Sequence, residues 1–257
     1  MRKGRVLSIL LTTAMAATIF TGCGSNDKSA DASQKADKKK IGIVTMVENG
    51  AFTDMKEGII EELASKGYTS DTATIDYQCA SGDATTLSTI ANNMTDGTYD
   101  MVFTIATPPT QAFVNLESDT PVFFCAVSAP VAAGVLSDMD SPDKNATGTS
   151  NAIPVSDIID LAQSTTPAKK YGLIYSGNED NATNTIKQVE EYLKSKNIEY
   201  VEKTAPTSSD IETATNALIN EGVDAIFVPN DSIIQDGVAK LAEICNEKKI
   251  PTYCSSA

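Results

Sequence analysis

The sequence contains no histidine and no tryptophan among its 257 residues. Without histidine, Ser-His-Asp and Cys-His nucleophilic sites, histidine-ligated zinc and histidine acid–base catalysis are excluded. Positive charge is also scarce, because 20 Lys and Arg stand against 34 Asp and Glu, which gives a net charge of -14. A protein that binds phosphate backbones needs the opposite balance, so no nucleic-acid partner is expected.

The first 22 residues have the pattern of an export signal. A basic start at residues 2–5 precedes a mostly apolar run at 6–20, which Ser and Thr interrupt. This run is too short and too polar for a membrane span of about 20 residues, whereas a basic region, an apolar core and small residues are typical of a signal peptide. Residues 20–23 (FTGC) resemble the lipobox of bacterial lipoproteins, in which Cys23 would be acylated. The alternative is an ordinary cleaved signal with an accidental cysteine.

Residues 23–40 contain no large apolar side chain and are rich in Ser, Asp, Lys and Ala. Such a segment cannot bury a core, so we expect a flexible tether that follows the lipidated cysteine. An anchor followed by a tether predicts an extracytoplasmic domain that is held at the bacterial cell membrane by lipid alone.

From residue 41 onward, short apolar runs alternate with helical patterns. Repeated βα units of this kind predict parallel sheets that are covered by helices on both faces. A polar stretch at 137–151 divides two such series, so we expect two doubly wound α/β lobes, 41–150 and 151–257, joined by a hinge. Because the strand predicted at 251–254 lacks a covering helix, we also expect a C-terminal segment beyond the sequence. The predicted strands are 41–46, 73–78, 101–105, 122–127, 171–175, 198–202, 225–229 and 251–254, and a capping box of Ser209 and Glu212 is predicted to start one helix.

Four cysteines follow Cys23, and their spacings match no zinc or CxxC pattern. An exported protein could pair them, but each lies among apolar residues. Free and largely buried thiols are therefore favoured over disulfides for Cys79, Cys125, Cys245 and Cys254.

Four loops are predicted to form a ligand site. In open α/β sheets, ligands bind beyond the carboxyl ends of the strands, where the winding direction reverses. For the strand order 2-1-3-4-5, the loops concerned are 47–52 and 106–111 in the first lobe, and 176–181 and 230–232 in the second. Two lobes that face each other would bring all four loops into one cleft.

The loop at 106–111 suits a ligand carboxylate. Thr107 is predicted to cap a helix that begins with Pro108 and Pro109, so its free N–H donors would start at Thr110 and Gln111. A carboxylate could accept these N–H groups and the Thr110 hydroxyl. A well-capped helix start without a ligand is the alternative.

The second lobe offers acidic groups for a ligand ammonium. Glu179 or Asp180 could bind it, or could merely complement a helix dipole, and Asp231 has the same two interpretations. Phe52 and Phe124 lie near strand ends, where they could line a hydrophobic pocket or belong to the core.

At these loops the chain resembles the ABC-transporter substrate-binding lipoproteins of the tryptophan/tyrosine-binding type, a periplasmic-binding-protein-like family. The resemblance runs from about residue 41 to the end and is carried by residues 41–44 (IGIV), 76–78 (DYQ), 106–112 (ATPPTQA), 126–134 (AVSAPVAAG), 145–150 (NATGTS) and 179–181 (EDN). It implies a protein that closes on an amino acid, here expected to be aromatic, and passes it to a permease. The ligand contacts that it implies are Glu48, Thr107, Thr110, Gln111, Ser128, Ser150, Glu179, Asn181 and Asp231.

The chain departs from the family pattern at four places, which bear on the identity of the ligand more than on the fold. The family's usual His-Pro after the glutamate is Asn49-Gly50, and Ala129, Ala182 and Ser232 replace an acidic residue, a serine and an asparagine.

We expect a monomer without cofactor, metal or catalytic residue. An enzyme on a Rossmann-like scaffold is the first competing interpretation, but no GxGxxG or P-loop motif is present. The second is a surface adhesin or sensory protein that uses the same lobes.

Overall fold

The computed structural model describes residues 38–255, so the predicted signal peptide, Cys23 and nearly all of the predicted tether lie outside the described residues. Within the described range, no helix is long and apolar enough to cross a membrane.

The first lobe comprises a five-stranded parallel sheet and three helices. Its sheet has the order β2-β1-β3-β4-β5, so the winding reverses between β1 and β3. Apolar side chains of the central strands, such as Ile43 and Val102, are fully buried because helices cover both faces. The elements are β1 Lys39–Thr45, α1 Gly50–Ser65, β2 Ala73–Cys79, α2 Ala84–Met94, β3 Met101–Ile105, α3 Thr107–Val114, β4 Val122–Cys125 and β5 Ala146–Gly148.

The second lobe repeats this architecture with a four-stranded parallel sheet. Its order is β7-β6-β8-β9, with the reversal between β6 and β8. The elements are α4 Val155–Thr165, β6 Lys170–Tyr175, α5 Asp180–Ser195, β7 Glu199–Thr204, a 3₁₀ turn at Ser208–Asp210, α6 Ile211–Asn220, β8 Ala225–Val228, α7 Ser232–Asp236, α8 Val238–Lys248 and β9 Thr252–Cys254. The predicted fold class, two doubly wound parallel-sheet lobes, is confirmed. Residues 149–154 link the lobes, and the boundary at residue 150 stays a prediction.

Helix α7 connects the two hydrophobic cores. Ile233 packs into the core of the first lobe, together with Val47 and Ala80. Its neighbour Ile234 packs into the core of the second lobe. The short helix after β8 therefore contacts both lobes through consecutive side chains.

Several local predictions are corrected. The first strand starts at Lys39, two residues inside the predicted tether, because the Asp100 carboxylate accepts hydrogen bonds from the Lys39 side chain and the Lys40 backbone. The polar stretch contains β5, which lacks an apolar run and forms as the edge strand next to β4. The capping box forms two residues earlier, between Thr207 and Asp210, and it starts the 3₁₀ turn.

The four cysteines of the described range are free, as predicted. Their burial was predicted less well, because Cys245 is buried, Cys79 and Cys125 are half-buried, and Cys254 is exposed on the edge strand β9. Phe52 and Phe124 both belong to the core of the first lobe, each only 4% exposed, so neither lines an open pocket.

Candidate functional site

The carboxyl ends of the strands in one sheet face those of the other sheet across the cleft between the lobes. Nε2 of Gln111, on α3, donates a hydrogen bond of 3.0 Å to Oδ2 of Asp180, the first residue of α5. Ile233 of α7 contacts the first lobe beside Gly82 and Val47. The loops after β1, β3, β6 and β8, which the strand order marks as ligand-binding positions, are thus brought together.

Helix α3 begins on a strained residue. Ala106, which precedes the helix, has φ 73° and ψ 173°, a conformation that essentially only glycine adopts freely. Two hydrogen bonds hold it, since its N–H donates to the Cys125 carbonyl and its own carbonyl accepts from the Thr110 hydroxyl. Strain of this kind costs about 1–3 kcal/mol and concentrates at functional sites.

This start of α3 corrects the predicted role of Thr107. Thr107 is the first helical residue rather than the cap, and its hydroxyl has no hydrogen-bond partner although it is buried. Pro108 and Pro109 carry no N–H, and the Ala106 N–H is already bonded, so the backbone N–H of Thr107 is the free donor of the first turn. Both polar groups of Thr107 are therefore available to a ligand.

Thr110 and Gln111 are placed differently from the prediction. Thr110 is fully buried, and its hydroxyl bonds to Thr104 and to the Ala106 carbonyl. Thr110 is the fourth helical residue, so its backbone N–H faces the carbonyl of Ala106, four residues earlier in the helix. The backbone N–H of Gln111 is paired in the same way, one residue later. The free donors are thus found at Thr107, and the Gln111 side chain connects Asp180 with the Ala133 carbonyl.

Unpartnered buried polar atoms concentrate at the carboxyl edges of the sheets. Within the described range, seven buried side-chain nitrogen or oxygen atoms lack a hydrogen-bond partner, and only Thr215, in α6, is remote from these edges and from the link between the lobes. Buried polar groups are normally paired, so such a concentration marks a place where a ligand supplies the partners. The other six atoms are Asn49 Nδ2, Thr107 Oγ1, Ser128 Oγ, Asn151 Oδ1, Asn181 Oδ1 and Ser255 Oγ.

Two of these atoms have a defined hydrogen-bonding character. Oδ1 of Asn49 accepts from the Phe52 N–H at 2.8 Å, which leaves Nδ2 as a donor. Nδ2 of Asn181 donates to the Asn230 carbonyl at 2.6 Å, which leaves Oδ1 as an acceptor. The first lobe thus offers unpaired donors at Asn49 and at the Thr107 N–H, whereas the second lobe offers an unpaired acceptor.

Asn49 and Asn151 were not among the predicted contacts. Asn49 is one of the departures from the family pattern, and Asn151 lies in the link between the lobes. Nothing in the sequence distinguishes these asparagines from others, because the missing partner is a property of the tertiary structure.

Glu179 and Asp231 form a buried acidic pair. Glu179 is 5% exposed, and its Oε1 accepts a 3.0 Å hydrogen bond from the Ser232 N–H. Burial, followed by the negative charge of Asp231, raises the pKa of Glu179 to about 8. Within the described residues, neither carboxylate has a Lys or Arg partner. A positively charged ligand group would therefore be stabilised here.

Asp231 itself is satisfied by the backbone. Its Oδ1 caps α7 by accepting from the N–H groups of Ile233 and Ile234, and its Oδ2 accepts from the Ser176 N–H at 2.7 Å. Burial raises the pKa of Asp231, whereas these three donors act to lower it. Asp231 is fully buried, so its capping role is evident and contact with a ligand stays a prediction.

The remaining predicted contacts lie around this centre. Glu48 is exposed and accepts a hydrogen bond from the Tyr77 hydroxyl at 3.1 Å. It lines a cavity of about 510 Å³ between the lobes, to which Ile233 and Asp236 contribute from α7. Ser150 is exposed, and its hydroxyl lies 3.5 Å from the Ser128 carbonyl.

Among residues 38–255 no group of His, Cys, Asp or Glu side chains is arranged to hold a metal ion.

Two facing α/β lobes with a polar, unsatisfied cleft define a solute-binding protein of the periplasmic-binding-protein class. Residues 40–257 match the family model of the ABC transporter substrate binding protein. The chain belongs to this family, whose members bind solutes outside the cytoplasm and are not enzymes.

Individual relatives agree with this assignment. The tyrosine-binding protein of Clostridioides difficile strain R20291 is 33% identical over 261 residues, which is 99% of this chain and 75% of that protein. The ABC domain of Streptococcus pneumoniae in complex with L-Trp is 28% identical and superimposes with a TM-score of 0.79, covering 86% of this chain and 75% of that one.

A third relative indicates which arrangement of the lobes is present. The ligand-free, open structure of a Clostridium difficile substrate-binding protein with adhesive properties is 31% identical, covering 84% of this chain and 74% of that one, but its TM-score is only 0.57. Since both solved structures are about equally similar in sequence, the arrangement described here is closer to the tryptophan-bound form. The bond between Gln111 and Asp180 agrees with lobes in contact.

Proposed function

We propose that this protein captures a free amino acid, expected to be aromatic, in the cleft between its lobes and delivers it to an ABC permease. The observation that carries the proposal is the set of buried, unpartnered polar atoms at the cleft, with donors in the first lobe and an acceptor, Oδ1 of Asn181, in the second. A zwitterion has the complementary character, because its carboxylate accepts and its ammonium donates.

This polarity orients the ligand. The carboxylate lies against the first lobe, where the N–H and hydroxyl of Thr107 and Nδ2 of Asn49 supply donors. The ammonium lies against the second lobe, at the Glu179 carboxylate and Oδ1 of Asn181. Charge-assisted hydrogen bonds contribute about 1.5–3 kcal/mol each, so the two ends together hold the ligand between the lobes.

Support for an aromatic side chain comes from the relatives, one of which is described as tyrosine-binding and one of which was solved with L-Trp. The residues Asn49, Ala129, Ala182 and Ser232 differ from the family pattern. The side chain is therefore the part of the ligand that an experiment has to identify.

The decisive experiment combines two measurements on the purified protein. Mass spectrometry of small molecules released by denaturation identifies what co-purifies, and calorimetric titration measures binding of L-tyrosine, L-phenylalanine and L-tryptophan. We expect Glu179→Ala to weaken binding by about ten- to a hundredfold, as loss of a charge-assisted hydrogen bond requires. Failure of all three amino acids to bind the wild-type protein would reject the aromatic assignment.

We further propose that the protein is attached to the outer face of the bacterial cell membrane by lipid on Cys23. The support is the lipobox-like run at residues 20–23 and the tether-like composition of 23–40. Such an anchor keeps the binding domain close to its permease while allowing it to turn freely.

A second role in adhesion is favoured by one relative, which is described as having adhesive properties and is 31% identical to this chain. Binding of the purified protein to host cells, compared with binding by the same protein saturated with ligand, tests this role. Equal background binding to cells and to bare plastic would reject it.

A further inference from the structure

We propose that the ammonium of the bound amino acid takes the place of a proton on Glu179, so that ligand capture releases one proton to the solvent. The inference rests on the proposed function, and it adds a pH dependence to the same site. In the unliganded form the carboxyl is protonated and neutral, and in the complex it is an ionised carboxylate paired with the ligand ammonium.

The geometry of the acidic pair assigns the proton to Glu179. Glu179 and Asp231 lie on neighbouring loops of the second lobe, and Glu179 reaches the backbone of Ser232, the residue next to Asp231. Asp231 receives three backbone hydrogen bonds and one from the Ser176 side chain, all of which favour its ionised form. Glu179 receives one backbone hydrogen bond, from Ser232, and is otherwise stabilised in its ionised form only by the side chains of Ser232 and Asn181. When two buried carboxyl groups share one site, the group with fewer donors holds the proton.

Within the described residues, no cationic side chain at the cleft neutralises Glu179. The eight segments that approach the cleft contain no Lys or Arg, namely residues 46–53, 79–82, 106–114, 126–134, 149–154, 176–183, 206–208 and 229–236. Their charged groups are all acidic, comprising Glu48, Asp180 and Asp236 besides the buried pair. Asp180 is exposed and bonds to Gln111, Asp236 is exposed, and Glu48 is exposed and bonds to Tyr77. A cation must therefore come from the ligand.

An unpartnered acceptor lies beside the acidic pair. Oδ1 of Asn181, which is 4% exposed, lies two residues from Glu179 and has no donor. An ammonium has three donors, so it can satisfy this oxygen and the Glu179 carboxylate together. A proton on Glu179 satisfies only the carboxyl group, which leaves the ligand as the better partner.

Ligand affinity should fall as the pH falls. Burial and the charge of Asp231, which lies on the same lobe, raise the pKa of Glu179 to about 8 in this structure, which holds no ligand, and a bound ammonium lowers it again. Below pH 8 the ligand must displace a proton, so affinity falls as pH falls, by up to about tenfold for each pH unit. Above pH 8 the dependence on Glu179 ends.

The test measures proton release and affinity together, using whichever of tyrosine, phenylalanine and tryptophan binds the protein. Titrations at pH 7 in phosphate and in Tris, buffers with different heats of ionisation, give the number of protons released, which we expect to be close to one. Between pH 7.5 and pH 5.5 the Kd of the wild type should rise by at least tenfold. Glu179→Gln should bind more weakly, release no proton and show a flat profile.

The matched control is Glu191→Gln, which makes the same substitution at an exposed position of α5, on the same lobe but outside the cleft segments, and should leave the proton release unchanged. Binding of an amino acid with equal Kd at pH 5.5 and pH 7.5 would overturn the proton exchange but not the proposed function. Proton release that persists in Glu179→Gln would also overturn it. Failure of all three amino acids to bind at any pH would overturn both.

Discussion

Gln111 and Asp180 join the two lobes through a hydrogen bond between helix α3 and the start of helix α5, with 3.0 Å between Nε2 and Oδ2. Gln111 also donates to the Ala133 carbonyl, so its side chain is held from both sides. The contact can form only when the lobes are together, and it therefore stabilises the closed arrangement relative to an open one.

We expect Gln111→Ala and Asp180→Ala each to weaken ligand binding by about two- to tenfold, because a bond of about 0.5–1.5 kcal/mol is lost from the closed state. Calorimetric titration of both variants and of the double variant forms a double-mutant cycle. If the bond acts as described, the double variant loses no more than the larger single effect. Fully additive losses would mean that the two side chains act independently.

The Thr107 hydroxyl should lower the stability of the ligand-free protein and raise its affinity for the ligand. It is buried without a partner, so Thr107→Val, which keeps the shape of the side chain, should stabilise the ligand-free protein by about 1 kcal/mol. The same change should weaken ligand binding by about tenfold, since the ligand loses a hydrogen-bond partner. Urea denaturation and calorimetry measure the two effects.

Thr215→Val is the control for this prediction. Thr215 is also fully buried with an unpartnered hydroxyl, but it lies in α6, away from the cleft. The Thr215→Val variant should gain similar stability and bind the ligand as the wild type does. Unchanged affinity in Thr107→Val would remove Thr107 from the proposed site.

Asp231→Ala should destabilise the second lobe more than the loss of an ordinary helix cap. Asp231 accepts three backbone N–H groups, whereas Asp83, the cap of α2, accepts one from Thr86. We expect losses of about 2–4 kcal/mol and about 1 kcal/mol respectively in the free energy of unfolding, measured by urea denaturation. Equal losses in Asp231→Ala and Asp83→Ala would show that the two additional backbone bonds of Asp231 contribute nothing to stability.

Cys23→Ala tests the proposed lipid anchor. The variant should lose membrane association in cell fractionation, and the protein should appear in the medium or as an uncleaved precursor. Cys79→Ala, at a half-buried cysteine of the folded domain, serves as the control and should fractionate as the wild type does. Membrane association of Cys23→Ala at the wild-type level would contradict acylation at this position.

The periodicity of the sequence predicted the fold because buried parallel strands are continuous apolar runs. The predicted strand at 101–105 matches β3, and the others agree to within about two residues at most ends. Strand β5 was missed because its three residues, Ala146, Thr147 and Gly148, carry no apolar pattern and pair only through the neighbouring β4.

The site was predicted at the level of loops but less well at the level of atoms. Strand order alone fixes which loops meet, and the loops at 106–111 and 176–181 do meet. The start of α3 was misplaced because Ala106 has a positive φ that its side chain does not signal. Which polar atoms lack partners depends on contacts between distant segments, so Asn49 and Asn151 were not identifiable in advance.

The composition of the cleft also determines which solutes are refused. Its segments carry five acidic side chains and no basic one, in a protein of net charge -14. Glutamate, aspartate and phosphorylated amino acids would bring an additional negative charge toward this surface, and no side-chain cation in these segments could neutralise it. Like-charge repulsion slows their approach and penalises their burial, so the cleft discriminates against anionic solutes before any side-chain pocket is reached.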